Sequence, residues 1–247
     1  MNLFRKIKNL LLSIEDSLSK EHACISCDRE ILDGSEFQLC EKCLNNMQKI
    51  KEPICIKCGE MLENGNLNCE FCKKFNYAFN SNKSIFYYNE ESSKIIKGLK
   101  YNQRKYYVKF IAKMMTEDRC IFDKVDIITF VPISAKRKRV RGFNQAEEIA
   151  KEISKIVNID VVELLEKVKD NKTQAGLSQK ERLENLKGTF KIKESEKEKV
   201  SGKRILVVDD VFTTGATLNE CSSVLKIAKP KEIKTLTFAK TKLFSIN

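Results

Sequence analysis

Ile205-Leu206-Val207-Val208-Asp209-Asp210-Val211-Phe212-Thr213-Thr214-Gly215-Ala216-Thr217-Leu218 runs from four branched apolar residues into two carboxylates, then into a hydroxyl-rich turn with one glycine. An apolar run without alternation reads as a strand buried on both faces, the kind found inside a parallel sheet covered by helices. A helix over 216–227 follows. Ligands in such sheets bind outside the carboxyl ends of the strands, where Asp209 and Asp210 fall. Backbone N–H groups of the turn, the threonine hydroxyls and the helix N-terminus suit a phosphate, with Gly215 letting the backbone come close. The carboxylates suit the hydroxyls of a ribose. In the plainer alternative the acids merely turn the chain and Thr214 or Thr217 caps the helix. The complete order of strand, acid, acid, hydroxyl, glycine and hydroxyl favours phosphate and sugar binding.

Outward from this core the chain alternates. Residues 84–88, 126–131, 204–208 and 234–239 read as strands, and 91–99, 103–115 and 144–157 as helices. The expected fold over 83–247 is therefore α/β, a largely parallel sheet with helices on both faces. The charged stretch 191–203 reads as a solvated excursion before the key strand.

The N-terminal part is organised differently. Eight of the ten cysteines form four Cys-x-x-Cys pairs, Cys24/Cys27, Cys40/Cys43, Cys55/Cys58 and Cys69/Cys72. A redox motif would not be written four times without its βαβ context, whereas two such pairs complete one tetrahedral zinc site. About two structural zinc ions are expected in a double zinc-finger module over 22–75. Eight ligands can be divided between two ions in three ways, and the sequential division closes the shortest loops. Bulky apolar residues are few between the pairs, so metal binding must supply much of the folding free energy there. A chelator is expected to unfold this module and to leave the α/β domain largely intact. Cys120 and Cys221 lack partner spacing and read as small buried apolar residues. The single histidine, His22, is read as exposed.

Ahead of the cysteines, Leu3, Ile7, Leu10, Leu11, Ile14 and Leu18 recur at helical spacing over 1–21. Glu15 and Asp16 spoil a uniformly basic polar face, which favours docking on the second domain over a membrane surface. Leu10-Leu11-Leu12 is too short for a membrane span or a secretory signal, so the protein is expected in the cytoplasm. Among 247 residues, 46 are Lys or Arg and 34 are Asp or Glu, a formal charge of +12 that favours an anionic partner and disfavours a cationic one. Two basic stretches stand out. Lys136-Arg137-Lys138-Arg139-Val140-Arg141 puts five cations in six positions beside the same expected crevice, where they suit diphosphate or nucleic-acid phosphates better than a merely solvated loop. Lys94–Lys113 carries seven Lys or Arg, no acid, and Tyr101, Tyr106, Tyr107 and Phe110. It reads equally as a surface for single-stranded nucleic acid, through Lys97, Lys100, Arg104, Lys105 and Tyr106, or as a helix with an aromatic core face.

Val207 to Thr217 resembles the phosphoribosyl pyrophosphate (PRPP) signature of type I phosphoribosyltransferases. Val131-Pro132-Ile133, Arg141-Gly142-Phe143-Asn144-Gln145, Thr173-Gln174-Ala175-Gly176-Leu177-Ser178 and the residues Arg182, Asn185, Leu186, Gly188 and Phe190 extend the likeness. Together these motifs resemble the ComF family of competence-associated proteins over about residues 22–240. That likeness implies a zinc module followed by a type I phosphoribosyltransferase-like domain. It implies that Asp209 and Asp210, the catalytic pair, bind the ribose 2′- and 3′-hydroxyls of PRPP, and that Thr213, Thr214, Gly215, Ala216 and Thr217 hold its 5-phosphate. Pyrophosphate would bind at the turn of Ser134, Ala135 and Lys136, with Arg137 and Arg141 beyond it and magnesium bridging the phosphates.

The implied role is in DNA uptake during natural competence, with single-stranded DNA and a competence helicase as partners. Transfer of the phosphoribosyl group to an acceptor is one reading. A non-catalytic protein that senses PRPP or binds single-stranded DNA is the second, and a zinc-dependent scaffold that has lost its ligand is the third. Related enzymes acting on 6-oxopurines carry an acid at the loop position occupied here by Thr213, which argues against that acceptor class.

Overall fold

The computed structural model describes residues 23–31, 39–62, 67–102, 105–169 and 185–242, without the side chains of 74, 100–102 and 105–106. The expected helix over 1–21 and His22 lie outside the described residues. In chain order the elements are α1 (Glu41–Asn46), α2 (Glu70–Lys74), β1 (Ser81–Tyr87), α3 (Glu90–Asn102), α4 (Lys105–Thr116), β2 (Ile127–Phe130), α5 (Ala135–Arg141), α6 (Gln145–Val157), β3 (Leu165–Lys167), β4 (Phe190–Ile192), β5 (Arg204–Phe212), α7 (Ala216–Lys226) and β6 (Glu232–Lys240). Short 3-10 turns occupy Arg119–Phe122 and Glu194–Lys199.

Four strands form one sheet in the order β1-β6-β5-β2, every neighbouring pair parallel. Because strand side chains alternate, β5 feeds two cores. Leu206 and Val208 pack with Ile111, Ile149 and Ile153 of α4 and α6 on one face, while Ile205 and Val207 pack with Leu218 and Leu225 of α7 on the other. The helices are bounded by local chemistry. Asn144 caps α6 by accepting a hydrogen bond from the Ala146 N–H at 3.1 Å, and Asn158 ends it in a left-handed conformation.

The cysteine module is built into this sheet. Residues 48–50 run antiparallel along the outer edge of β1, where the Ile50 N–H donates to the Ile85 carbonyl at 2.9 Å and the Tyr87 N–H donates to the Gln48 carbonyl at 2.8 Å. From that edge the module reaches both faces. Cys24 and Cys43 join the core of α4 and α6, and Cys55, Cys58, Cys69 and Cys72 join the core of α7. The independent α/β core expected above is thus shared with the cysteine module, because each cluster packs on one face of the same sheet.

Polar groups between the module and the sheet are satisfied in pairs, as burial requires. Ser84 and Thr237 share a hydrogen bond at 2.7 Å, Thr235 donates to Asn82 at 2.9 Å, and the Asn82 amide donates to the Cys58 carbonyl at 3.1 Å. Lys240 at the end of β6 is fully buried and ion-paired with Glu60, whose other oxygen accepts from the Tyr87 hydroxyl at 2.7 Å.

Three sequence readings change. β5 continues through Asp209 and Asp210 to Phe212, since its partner β6 is equally long and pairs with it up to Lys240. The basic run 136–141 is a helix, not a loop, started by Ser134, whose hydroxyl accepts from the Arg137 N–H, and ended by Gly142 at φ 80°. The stretch 191–203 contains most of β4, which pairs antiparallel with β3.

Removing one member of the Glu60–Lys240 pair leaves a buried charge without its counterion. Glu60→Leu or Lys240→Met alone is expected to cost about 3–5 kcal/mol in urea unfolding, and the double variant should recover most of that loss.

Candidate functional site

At the carboxyl ends of β2 and β5 a crevice of about 320 Å³ opens. Asp209 and Asp210 line it from β5, Thr213 and Thr217 from the turn and first helical residues beyond, and Arg137 and Arg141 from α5. The two arginines are four residues apart, so one face of α5 turns both toward the crevice. Lys138 does not line the crevice and is bound to Glu147 at 3.2 Å. Burial raises the Glu147 carboxyl, but Lys151 and Lys138 outweigh it and hold that carboxyl below its usual range. Two carboxylates therefore meet two guanidinium groups and two hydroxyls in one cavity, a donor and acceptor set suited to a sugar phosphate.

The other expected contacts divide by burial. Thr214 is buried and its hydroxyl accepts from the Ala216 N–H at 3.4 Å, but the N-cap of α7 is Gly215, which has no side chain to cap with, so Thr214 braces the turn ahead of the helix and is not its cap. Gly215 has φ 74°, and a Cβ there would lie 2.5 Å from the Phe212 ring and 2.8 Å from the Tyr77 ring. Its missing side chain thus makes room for core aromatics. Thr214, Gly215 and Ala216 offer backbone rather than side chains. Ser134 uses its hydroxyl on α5, while Ala135 and Lys136 are exposed, and none of these three lines the crevice.

Residues not singled out for this role complete the lining, among them Asn144 and Gln145 of the α6 start, Lys167 of β3, and Leu186 and Phe190. Lys167 places its ammonium 5.6 Å from the Phe190 ring centre. Strands of three residues carry no readable periodicity, although Asn144, Gln145, Leu186 and Phe190 all stand within the motifs quoted for the family likeness. Gln174 and Arg182 lie outside the described residues.

The basic face is only partly visible. Lys97 is exposed, whereas the side chains of Lys100, Arg104, Lys105 and Tyr106 lie outside the described residues. Tyr107 and Phe110 are buried, and the Tyr107 hydroxyl donates to the Ile25 carbonyl at 3.2 Å. These two aromatics belong to the core and are withdrawn from stacking.

The eight paired cysteines form two sets, Cys24/Cys27/Cys40/Cys43 and Cys55/Cys58/Cys69/Cys72, with all sulfurs of a set within 4.8 Å of one another. This is the sequential division. The sets repeat one design. In each, the first pair sits in a turn followed by a residue with positive φ, Asp28 at 57° or Gly59 at 68°, and the second pair begins a short helix. Cys27 and Cys40 sulfurs are 3.8 Å apart and those of Cys58 and Cys69 3.7 Å. A zinc–sulfur bond of about 2.3 Å gives a tetrahedral edge of about 3.8 Å, so the thiols fit that ion.

Burial pushes the Cys43 thiol up to about 12, and burial of Cys24 is outweighed by the backbone N–H groups of Cys40, Ser26 and Cys27, which bring it down to about 7. In the second set, hydrogen bonds from Cys58 and Cys72 hold Cys55 far below its ordinary range, and the same bonds raise Cys58 and Cys72. Crowding sets these thiols against ionising together, a repulsion that a bound dication would offset. Among the other two cysteines, Cys221 is fully buried as expected, but Cys120 is exposed, next to Asp118, which raises its thiol.

Residues 140–242 match a phosphoribosyl transferase domain, and residues 21–74 match a double zinc ribbon domain. The chain is 30% identical to Competence protein F of Haemophilus influenzae over 88% of its own length and 96% of that protein. It is 27% identical to Competence protein ComFC of Streptococcus pneumoniae, over 85% of this chain and 91% of the relative. With DNA utilization protein YhgH of Salmonella typhimurium it shares 24% identity over 77% and 85% of the two chains. No helix among the described residues is long and apolar enough to cross a membrane.

Metal analysis of protein purified without added zinc should return about two zinc ions per chain. Native alkylation should then modify Cys120 well before any of the eight clustered thiols; a stoichiometry near zero would refute the zinc assignment.

Proposed function

Because this chain belongs to the ComF family, joining a double zinc ribbon to a phosphoribosyl transferase domain, we propose that its crevice binds PRPP with magnesium and that the protein acts in handling DNA during uptake. One observation carries the first half: Asp209 and Asp210 share a cavity with Arg137, Arg141, Thr213 and Thr217. Asp209 and Asp210 accept hydrogen bonds from the ribose hydroxyls and fix the ring. Thr213 and Thr217, with the backbone of 213–217, hold the 5-phosphate. The two arginines approach from α5 and neutralise the diphosphate.

The carboxylates and the diphosphate oxygens are the hard donors magnesium prefers, and the ion when bound supplies further charge neutralisation. Loss of diphosphate from the ribose carbon develops positive charge on the ring and negative charge on the leaving group. The arginines stabilise the latter, and Lys167 and Phe190 face the cavity where an acceptor would lie. A threonine at 213 in place of an acid turns the loop away from 6-oxopurine acceptors.

The DNA half is supported by relatives named for competence and DNA utilization, by the charge of +12, and by the exposed Lys97, Lys109 and Lys113 of α3 and α4. With Tyr107 and Phe110 in the core, base stacking falls to Tyr106, and a competence helicase is the expected protein partner. The working compartment is the cytoplasm.

Calorimetric titration with PRPP and magnesium tests the first half. Asp209→Asn with Asp210→Asn should weaken binding roughly a hundredfold, from about 1.5 kcal/mol for each lost charge-assisted hydrogen bond at about 1.4 kcal/mol per tenfold. Unchanged affinity in the folded variant would refute the crevice assignment. Diphosphate release in the presence of candidate acceptors separates transfer from sensing.

For single-stranded DNA, four or five phosphate contacts should give a slope of about −3 in log affinity against log salt. Lys97→Gln with Lys100→Gln, Arg104→Gln and Lys105→Gln should flatten it. A wild-type slope near zero would remove the DNA half and leave the PRPP half standing.

A further inference from the structure

Tyr77 lies between the second cysteine set and the turn that follows β5. It is 2% exposed, and its hydroxyl donates to the Thr214 carbonyl at 2.8 Å across 137 positions of sequence. Its ring stacks on Phe79 with centres 4.7 Å apart and meets Phe212 edge-on at 6.1 Å. Against this aromatic wall Gly215 lies too close for any side chain. The next residue repeats the connection, since the Ala78 N–H donates to Asn219 at 2.7 Å and the Asn219 N–H donates to the Gly215 carbonyl at 2.8 Å.

The other end of this segment is held by the cysteine set. Tyr77 follows Cys72 by five residues and belongs to the same buried cluster as all four sulfurs. Lys57, between Cys55 and Cys58, donates to the Phe79 carbonyl at 3.0 Å. The Ile56 carbonyl accepts from the Asn82 N–H at 3.0 Å, and the Cys58 carbonyl accepts from the Asn82 amide at 3.1 Å. No comparable contact from the first set to residues 213–217 is present among the described residues. The thiols fit zinc, and holding them together would fix both ends of the segment that supports the turn.

We propose that Tyr77 is a positioning residue for the 213–217 turn, and that through it metal occupancy of the Cys55/Cys58/Cys69/Cys72 set governs affinity for the ligand's 5-phosphate. This rests on the reading that the turn holds that phosphate. Coupling between two sites is reciprocal in their affinities, so the phosphate ligand must in turn tighten metal binding by that set and not by the other, and slower metal loss from that set is the expected sign. Discrimination between the sets is practicable, because Cys27 is exposed and Cys40 half-buried in the first, whereas all four cysteines of the second are buried. Zinc should leave the first set faster.

The test uses the zinc-loaded full chain and Tyr77→Phe, which keeps the ring and removes the hydroxyl. Amide exchange over 213–218 should quicken about tenfold in the variant, the effect expected for one lost hydrogen bond. Affinity for ribose 5-phosphate should fall about tenfold and that for pyrophosphate should stay unchanged, a split that general loosening of the fold would not produce. In the wild type, zinc transfer to a chromophoric chelator should show two phases, with ribose 5-phosphate slowing the slower one several-fold. Unchanged exchange over 213–218 in the variant, or equal slowing of both zinc phases, would overturn the proposal. If wild type binds no ribose 5-phosphate, the phosphate assignment of the turn fails, and the exchange measurement still decides whether Tyr77 positions it. Should Tyr77→Phe not fold, the zinc-release measurement on the wild type decides.

Discussion

Two backbone hydrogen bonds at the edge of β1, from Ile50 to Ile85 and from Tyr87 to Gln48, direct the course of the N-terminal region. A parallel sheet presents unpaired N–H and C=O groups at its outer strand, and a segment that pairs there is committed to the sheet's plane. Residues 48–50 stand between the two cysteine sets, so pairing them at the edge sends one set to each face. The first set meets α4, through Tyr107 and Ile25. The second meets α7 and the turn after β5. Each cluster then buries apolar surface that neither could bury alone, which is how so few bulky residues suffice for the module.

The same constraint reaches the crevice. β6 is paired on both sides up to Lys240, by β5 from Glu232 and by β1 from Lys234, and the buried Glu60–Lys240 pair fastens that end to the loop between Cys58 and Cys69. With β6 extended, β5 stays in register past its apolar run, and Asp209 and Asp210 are presented from a strand held by the sheet. Phe212 ends β5 and packs on Tyr77, which supports Gly215. A site on rigid elements, with its turn supported by a second layer of buried contacts, is held in one geometry before a ligand arrives.

The parts legible in the sequence are those decided by local chemistry. Ile205–Val208 could only be a doubly buried strand, and four Cys-x-x-Cys pairs could scarcely be anything but metal ligands. Asn144 before an amphipathic stretch marked the start of α6 correctly. The parts that were not legible depend on distant partners or on short elements. β3 and β4 have three residues each, too few for a period. In α5 the density of charge masked a helix whose signals, Ser134 and Gly142, stand just outside the run. For Tyr107 and Phe110 the sequence left stacking and a core face equally open, because both fit aromatics beside lysines; they share a helix face with Ile111 and Met114 and belong to the core. That Gly215 serves Tyr77 and Phe212 could not be read from a turn that also suits phosphate, because Tyr77 is distant in sequence.

The claim on which these relations converge is that the second cysteine set and the α/β sheet form one cooperative unit. Equilibrium urea unfolding, followed at once by far-ultraviolet circular dichroism and by a zinc-sensitive dye, addresses it directly. The expected result is that the second equivalent of zinc appears in the same transition, at the same urea concentration, as the helical signal collapses. Release of both equivalents at lower urea, with the helical signal unchanged, would contradict it.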